Sequence, residues 1–163
     1  MTEHEAFLQA IRNAPADDAP RLIYADWLEE HSQADRAEFI RLQCRVARLP
    51  DPAPEHPLLM KRVEELLRSH WEEWVGPLRA LVGAWHDRLG EFWMGSEYHP
   101  VALRRFQRGF LNGISLQAER FLTQARPLRD LIPQLDWLNL WNAGQRGPAL
   151  ASGPDPESAN RFS

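Results

Sequence analysis

Two segments in the second half of the chain carry one template. Leu111-x-x-Ile114-x-Leu116 and Leu135-x-x-Leu138-x-Leu140 each read leucine, two free positions, an aliphatic residue, one free position, leucine, and they are offset by 24 residues. Alternation of this kind predicts strands with one buried face. Ile114, Leu116, Leu138 and Leu140 fall inward and Ser115 and Asn139 outward. Between the segments, about Ala118 to Leu131 carries Phe121, Leu122, Ala125, Leu128 and Leu131 at helical spacing, with a bend expected near Pro127. A strand, a covering helix and a second strand in one layer require parallel pairing and a right-handed crossover.

The offset lies inside the period of about 20–29 residues typical of leucine-rich repeats. An ordinary β-α-β unit with coincident leucines gives the same pattern. Two copies do not make a stable solenoid, so they must pack on the rest of the chain or continue onto another one. Upstream, Val101 to Phe106 reads as a strand, Arg108-Gly109 as a turn and Phe110 to Leu116 as one continuous strand.

The first hundred residues read as helices. Thr2-x-x-Glu5 is a capping box opening a helix to about Asn13, with Phe7, Ala10 and Ile11 on one face. Asp17 or Asp18 caps the next helix, Arg21 to His31, where Ile23 and Trp27, and Tyr24 and Leu28, stand four apart. A third, about Asp35 to Leu49, shows the stripe Phe39, Leu42, Val46, Leu49. A proline-rich connector leads to a fourth, Pro57 to Trp74, which Gly76-Pro77 should break before a short helix from Leu78 to about Trp85. Residues 86–100 show no period and read as loop. The expected class is α+β: a helical unit over 1–100, a β-α-β unit over 101–143 and a flexible Gly/Pro-rich tail over 144–163.

Asp18-x-Pro20-Arg21-Leu22-Ile23-Tyr24-Ala25-Asp26-Trp27-Leu28-Glu29-Glu30, followed by Arg36-Ala37-Glu38-Phe39-Ile40-Arg41-Leu42-Gln43, closely resembles the bacterial repeat-companion domain. The match covers about residues 2–50. The resemblance implies an N-terminal mate of leucine-rich-repeat proteins, with Arg108-Gly109-Phe110 through Leu140 as the lead-in to the repeats. It implies no enzymatic activity. The departure is the ending: one repeat-like strand follows, and the extended concave surface that repeats supply is missing.

Composition narrows the function classes. Net charge is −4, which argues against a dedicated nucleic-acid binder. The acidic start is no signal peptide, and no apolar run is long enough to span a membrane, so a cytoplasmic protein is expected. The one cysteine, Cys44, forms no intramolecular disulfide and reads as a small buried hydrophobe. The six histidines are scattered without ligand spacing, and neither metal nor cofactor is expected. Asp26 should pair with Arg36 or Arg41 across two helices, partly buried. Tyr24, Trp27 and Phe39 read as core.

The leading expectation is a non-enzymatic interaction module. Its candidate partner-binding residues are Trp137, Trp141, Asn139 and Ser115 on the outward side of the terminal strand, with self-association through the open strand edge as one outcome. Trp85, Phe92 and Trp93 extend the aromatic candidates. Two other classes stay open. A basic stripe of Arg41, Arg45 and Arg48, with Arg104, Arg105 and Arg108, would hold nucleic acid or another acidic partner. A cluster of Asp26, Glu29, Glu30 and His31 would serve a metal-dependent enzyme.

Overall fold

Thr2 and Glu5 close the capping box reciprocally: the Thr2 N–H donates to Glu5 Oε2 at 2.7 Å, and the Glu5 N–H to Thr2 Oγ1 at 3.2 Å. They open α1, Glu3–Asn13, in a computed structural model that describes residues 2–82 and 106–141. α2 spans Ala19–Glu30 with Pro20 in its first turn, where a missing N–H costs nothing. α3 is Ala34–Arg48 and α4 is His56–Ser69. Leu59, Val63, Leu66 and Leu67 of α4 are buried as their spacing predicts.

Gly76-Pro77 does not break the fourth helical run. The break falls at His70, and α5 continues through Gly76 and Pro77, spanning Trp71–Val82. The clash that normally keeps the residue before proline out of the helical region involves its Cβ, and Gly76 has none. His70 accepts the role of junction. Its rings nitrogens stand 2.9 Å from Glu73 and 2.9 Å from Asp35, tying α5 back to α3.

The β part begins with a hairpin. β1, Phe106–Gln107, pairs antiparallel with β2, Phe110–Leu111, across the two-residue turn Arg108-Gly109. Both turn residues have positive φ, 51° and 91°, as a primed turn matching strand twist requires. The single strand expected from Phe110 to Leu116 is in fact split at Asn112, whose carbonyl takes the Asp136 N–H at 2.8 Å. Beyond it, β3 (Gly113–Gln117), α6 (Ala118–Leu131, with Pro127 inside) and β4 (Trp137–Trp141) form a β-α-β unit. β3 and β4 run parallel, and the register sets Ile114 against Leu138 and Leu116 against Leu140, the same 24-residue offset the sequence carries. The chain is therefore mixed α+β.

α3 is the wall between two apolar clusters. One joins Phe39 to α4, α5, the hairpin residues Phe106 and Leu111, Ile114 of β3, and Leu128 and Ile132. The other joins Ala37, Ile40 and Cys44 to α1, α2 and Phe110. Burying α3 on two sides explains why its interior exceeds the expected stripe: Ala37, Ile40, Gln43 and Cys44 are buried, whereas Val46 and Leu49 are only partly so. On α1 the buried pair is Leu8 and Ile11, and Ala10 is exposed. On α2, Tyr24, Ala25 and Leu28 turn inward together with Arg21, and Ile23 turns out.

Candidate interaction surface

The sheet of β3 and β4 has two strands among the described residues, so β4 pairs there along one side only. Of the second leucine template, Leu138 packs on the core, while Leu135 and Leu140 are exposed, Leu140 at 43%. The inward placement expected for Leu140 does not hold. The core against this layer is built by Ile114, Leu128 and Ile132, and among the described side chains of β4 it is Leu138 that packs on it. On α6, Leu128 is buried and Phe121 half-buried, but Leu122 is 79% exposed and Leu131 is also exposed. Exposed leucines thus stand on β4, just before it and on α6.

Trp137, Asn139 and Trp141 occupy alternate β4 positions opposite Gly113, Ser115 and Gln117 in the register. The side chains of Trp137, Trp141, Asn139, Ser115 and Leu116 lie outside the described residues, as do Trp85, Phe92, Trp93 and the whole of 83–105 and 142–163. Both expected unit boundaries and the tail fall in those segments.

The basic stripe is spent on internal pairs. Arg41 Nη2 stands 2.6 Å from Asp26 and 2.7 Å from Glu29, Arg45 is 3.1 Å from Glu55, and Arg48 is 2.6 Å from Asp18. Arg104 and Arg105 lie outside the described residues. The same Arg41 sits between the two carboxylates of the acidic cluster, where a metal would have to stand. His31 turns away from them, with Nδ1 2.7 Å from the Trp27 carbonyl and its ring stacked on Trp27 at 4.0 Å. Among the described residues no group of three or more His, Cys, Asp or Glu is placed to hold a metal ion. Among them, too, no helix is long and apolar enough to cross a membrane.

The Asp26–Arg41 pair was expected to be partly buried. Its carboxylate is 69% exposed, so the pair is a surface bridge worth little by itself. Arg36, the other proposed partner of Asp26, has a different role. Its Nη2 donates to the Gly109 carbonyl at 2.7 Å, and its guanidinium lies 5.3, 4.8 and 5.6 Å from the ring centroids of Phe39, Trp74 and Phe110. Burial pulls its pKa down to about 10, which leaves it charged at neutral pH. Gln43, buried on α3, accepts the Gly109 N–H at 2.7 Å. Both backbone groups of Gly109 are therefore gripped by α3. Tyr24 adds to the grip: its ring stacks on Phe110 at 6.1 Å, and burial raises its pKa.

A buried polar knot escaped the sequence reading. Asp18 does not cap α2 with its side chain; Asp17 Oδ1 takes the Ala19 N–H at 2.9 Å instead. Asp18 is buried between Arg48 and Arg108, whose Nε stands 3.4 Å from its second oxygen. Arg21, fully buried, donates to the Asp17 carbonyl at 2.6 Å and to Gln134. Arg108 also donates to the Ala16 carbonyl at 2.6 Å. These groups join residues more than ninety positions apart in sequence, and local spacing holds no trace of that pairing. No protein-family model, curated protein or solved structure matches the chain.

Proposed function

We propose that the chain is a non-enzymatic, cytoplasmic protein-interaction module of the bacterial repeat-companion kind. In this reading β3–α6–β4 is a leucine-rich-repeat-like unit, and its partner protein adds a strand along β4. The observation that carries the proposal is the strand itself: β4 pairs on one side among the described residues, with Leu140 exposed on it and Leu135 exposed just before it. Strand addition supplies main-chain hydrogen bonds for affinity and alternate side chains for selectivity. Trp137, Asn139, Trp141 and Ser115 are assigned the outward contacts. Burying the exposed leucines contributes about 25 cal/mol per Å² of apolar surface. The arginine-stripe and acidic-cluster readings lose support, because Arg41 is engaged by Asp26 and Glu29, Arg45 by Glu55 and Arg48 by Asp18.

Hydrogen exchange on the full chain, with and without a peptide of the sequence Leu135–Trp141, tests this. The β4 amides should gain protection, and Leu140→Asp should abolish the gain while the far-UV circular dichroism stays unchanged. Protection gained only on other elements, or an unaffected Leu140→Asp variant, rejects the strand-addition reading. Sedimentation of the chain alone reports whether the added strand comes from a second copy.

A further inference from the structure

A second surface lies on the outer face of α2, away from the strand edge. Ile23, in the middle of that helix, is 57% exposed. One turn on, Trp27 is half-buried, with its ring 5.7 Å from Phe7 of α1 and its Nε1 donating to Glu3 at 3.1 Å. The indole is held at the surface by partners on two helices. The charged groups around this apolar centre are mainly acidic: Glu3, Asp26 and Glu30 are all exposed, with Asp26 bridged to Arg41, and the His31 ring stacks on Trp27 at 4.0 Å. Arg41, at the rim, is already engaged by Asp26 and Glu29. α2 also ends on Glu29 and Glu30 with no basic residue in its last turn, so acid sits at the negative end of the helix dipole. That placement is unfavourable within the molecule and becomes favourable once a cation arrives.

We propose that the Ile23–Trp27 face of α2 docks a cationic amphipathic helix of a partner protein. An apolar ridge of that helix would seat on Ile23 beside Trp27, and Lys or Arg one turn to either side would meet Glu3 and Glu30. The sign of the frame selects the occupant: an anionic rim repels nucleic acid and acidic lipid, and attracts a basic helix. Two helices meeting on this face would pack by interdigitating side-chain ridges into grooves.

The probe is an eighteen-residue amphipathic peptide of Leu, Lys and Ala, titrated calorimetrically into the full chain; its mirror carries Glu at every Lys position. The Lys peptide should bind, more weakly as salt is raised, and the Glu peptide should not. Ile23→Ser and Glu30→Lys, both at exposed positions, should each weaken binding about tenfold or more with unchanged thermal melts, while Leu140→Asp should leave it intact. Equal binding by the Ile23→Ser and Glu30→Lys variants, or by the Glu peptide, overturns the proposal. So does loss of binding in Leu140→Asp, which moves the site to β4. Capture of acidic vesicles through this face, or a dimer of the chain that Ile23→Ser dissolves, replaces the occupant and overturns it as well.

Discussion

Gly109 shows how one residue ties two parts of the chain together. Its φ is +91°, and a Cβ there would stand 2.5 Å from Ile40 Cγ1 and 3.0 Å from Ile40 Cα. Ile40 is fully buried in the middle of α3 and has nowhere to retreat. Gly109→Ala adds a left-handed penalty of about 1–2 kcal/mol to an overpacking cost of about 1–3 kcal/mol. Equilibrium urea unfolding should show a loss of about 2–5 kcal/mol, whereas less than about 1 kcal/mol would mean the turn is not seated on α3. The turn itself was legible, because Arg-Gly between two strand patterns is a local signal. What holds it was not, because Ile40 and Gln43 read from sequence as ordinary helix positions and Arg36 as a partner of Asp26. Cys44 offers a test with a defined pH dependence. Burial, aided by nearby Asp18, pushes its thiol up to about 12. In the unfolded chain it ionises near the ordinary range of about 8–9. Above that range the unfolded state gives up a proton the folded state keeps, so its contribution, complete below the range, is lost as pH rises toward about 12. Denaturant melts across that window should slope downward, and Cys44→Ala should flatten the slope. Iodoacetamide should label the native thiol slowly and the urea-unfolded thiol at once.

At the scale of elements, structure follows the sequence pattern where period and punctuation agree and departs from it where packing overrides them. α6 and the parallel β3–β4 pair sit where the leucine template places them, with its offset kept in register. Asn112 interrupts the expected long strand because β2 and β3 pair with different partners, a choice made by distant residues. Gly76-Pro77 misled because a dipeptide that usually ends a helix here lies inside one. Tertiary burial of Val75 and Leu78 on either side of the dipeptide carries α5 through it. Proline in a helix interior costs about 3 kcal/mol relative to alanine, and its restriction of the unfolded chain returns about 1 kcal/mol or less. Pro77→Ala should therefore stabilise the protein by about 2–3 kcal/mol, read from thermal melts followed by circular dichroism. Gly76→Ala alone should give no gain, because its Cβ meets the proline ring. In the Pro77→Ala background the same change should add about 0.5–1 kcal/mol, since its Cβ finds only ordinary contact, 3.5 Å from Glu72 Oε1. A stabilising Gly76→Ala in the presence of Pro77 would refute this account of how the helix passes the proline.

For the molecule as a whole, composition shifts near residue 100, but the packing does not divide there. Phe106, Leu111, Ile114, Leu128 and Ile132 share one core with α3, α4 and α5. Phe110 enters the other core beside Tyr24 and Ile40. Two strands could not bury enough by themselves, so the helical part supplies the rest of their core. The consequence is a single cooperative unit in which α3 carries the load between the halves. Native-state hydrogen exchange should assign the slowest amides of α3 and of β3 the same opening free energy, equal to that of global unfolding. Arg36→Met and Gln43→Leu each leave one buried backbone group of Gly109 without its partner, at about 1–3 kcal/mol apiece. Together they should uncouple the halves: β3 and β4 amides would then exchange through a cheaper opening while the α3 amides still await global unfolding. If β3 amides of the unaltered protein already open separately from α3, the shared core does not bind the two halves, and the strand edge would have to be understood as part of a layer that folds on its own.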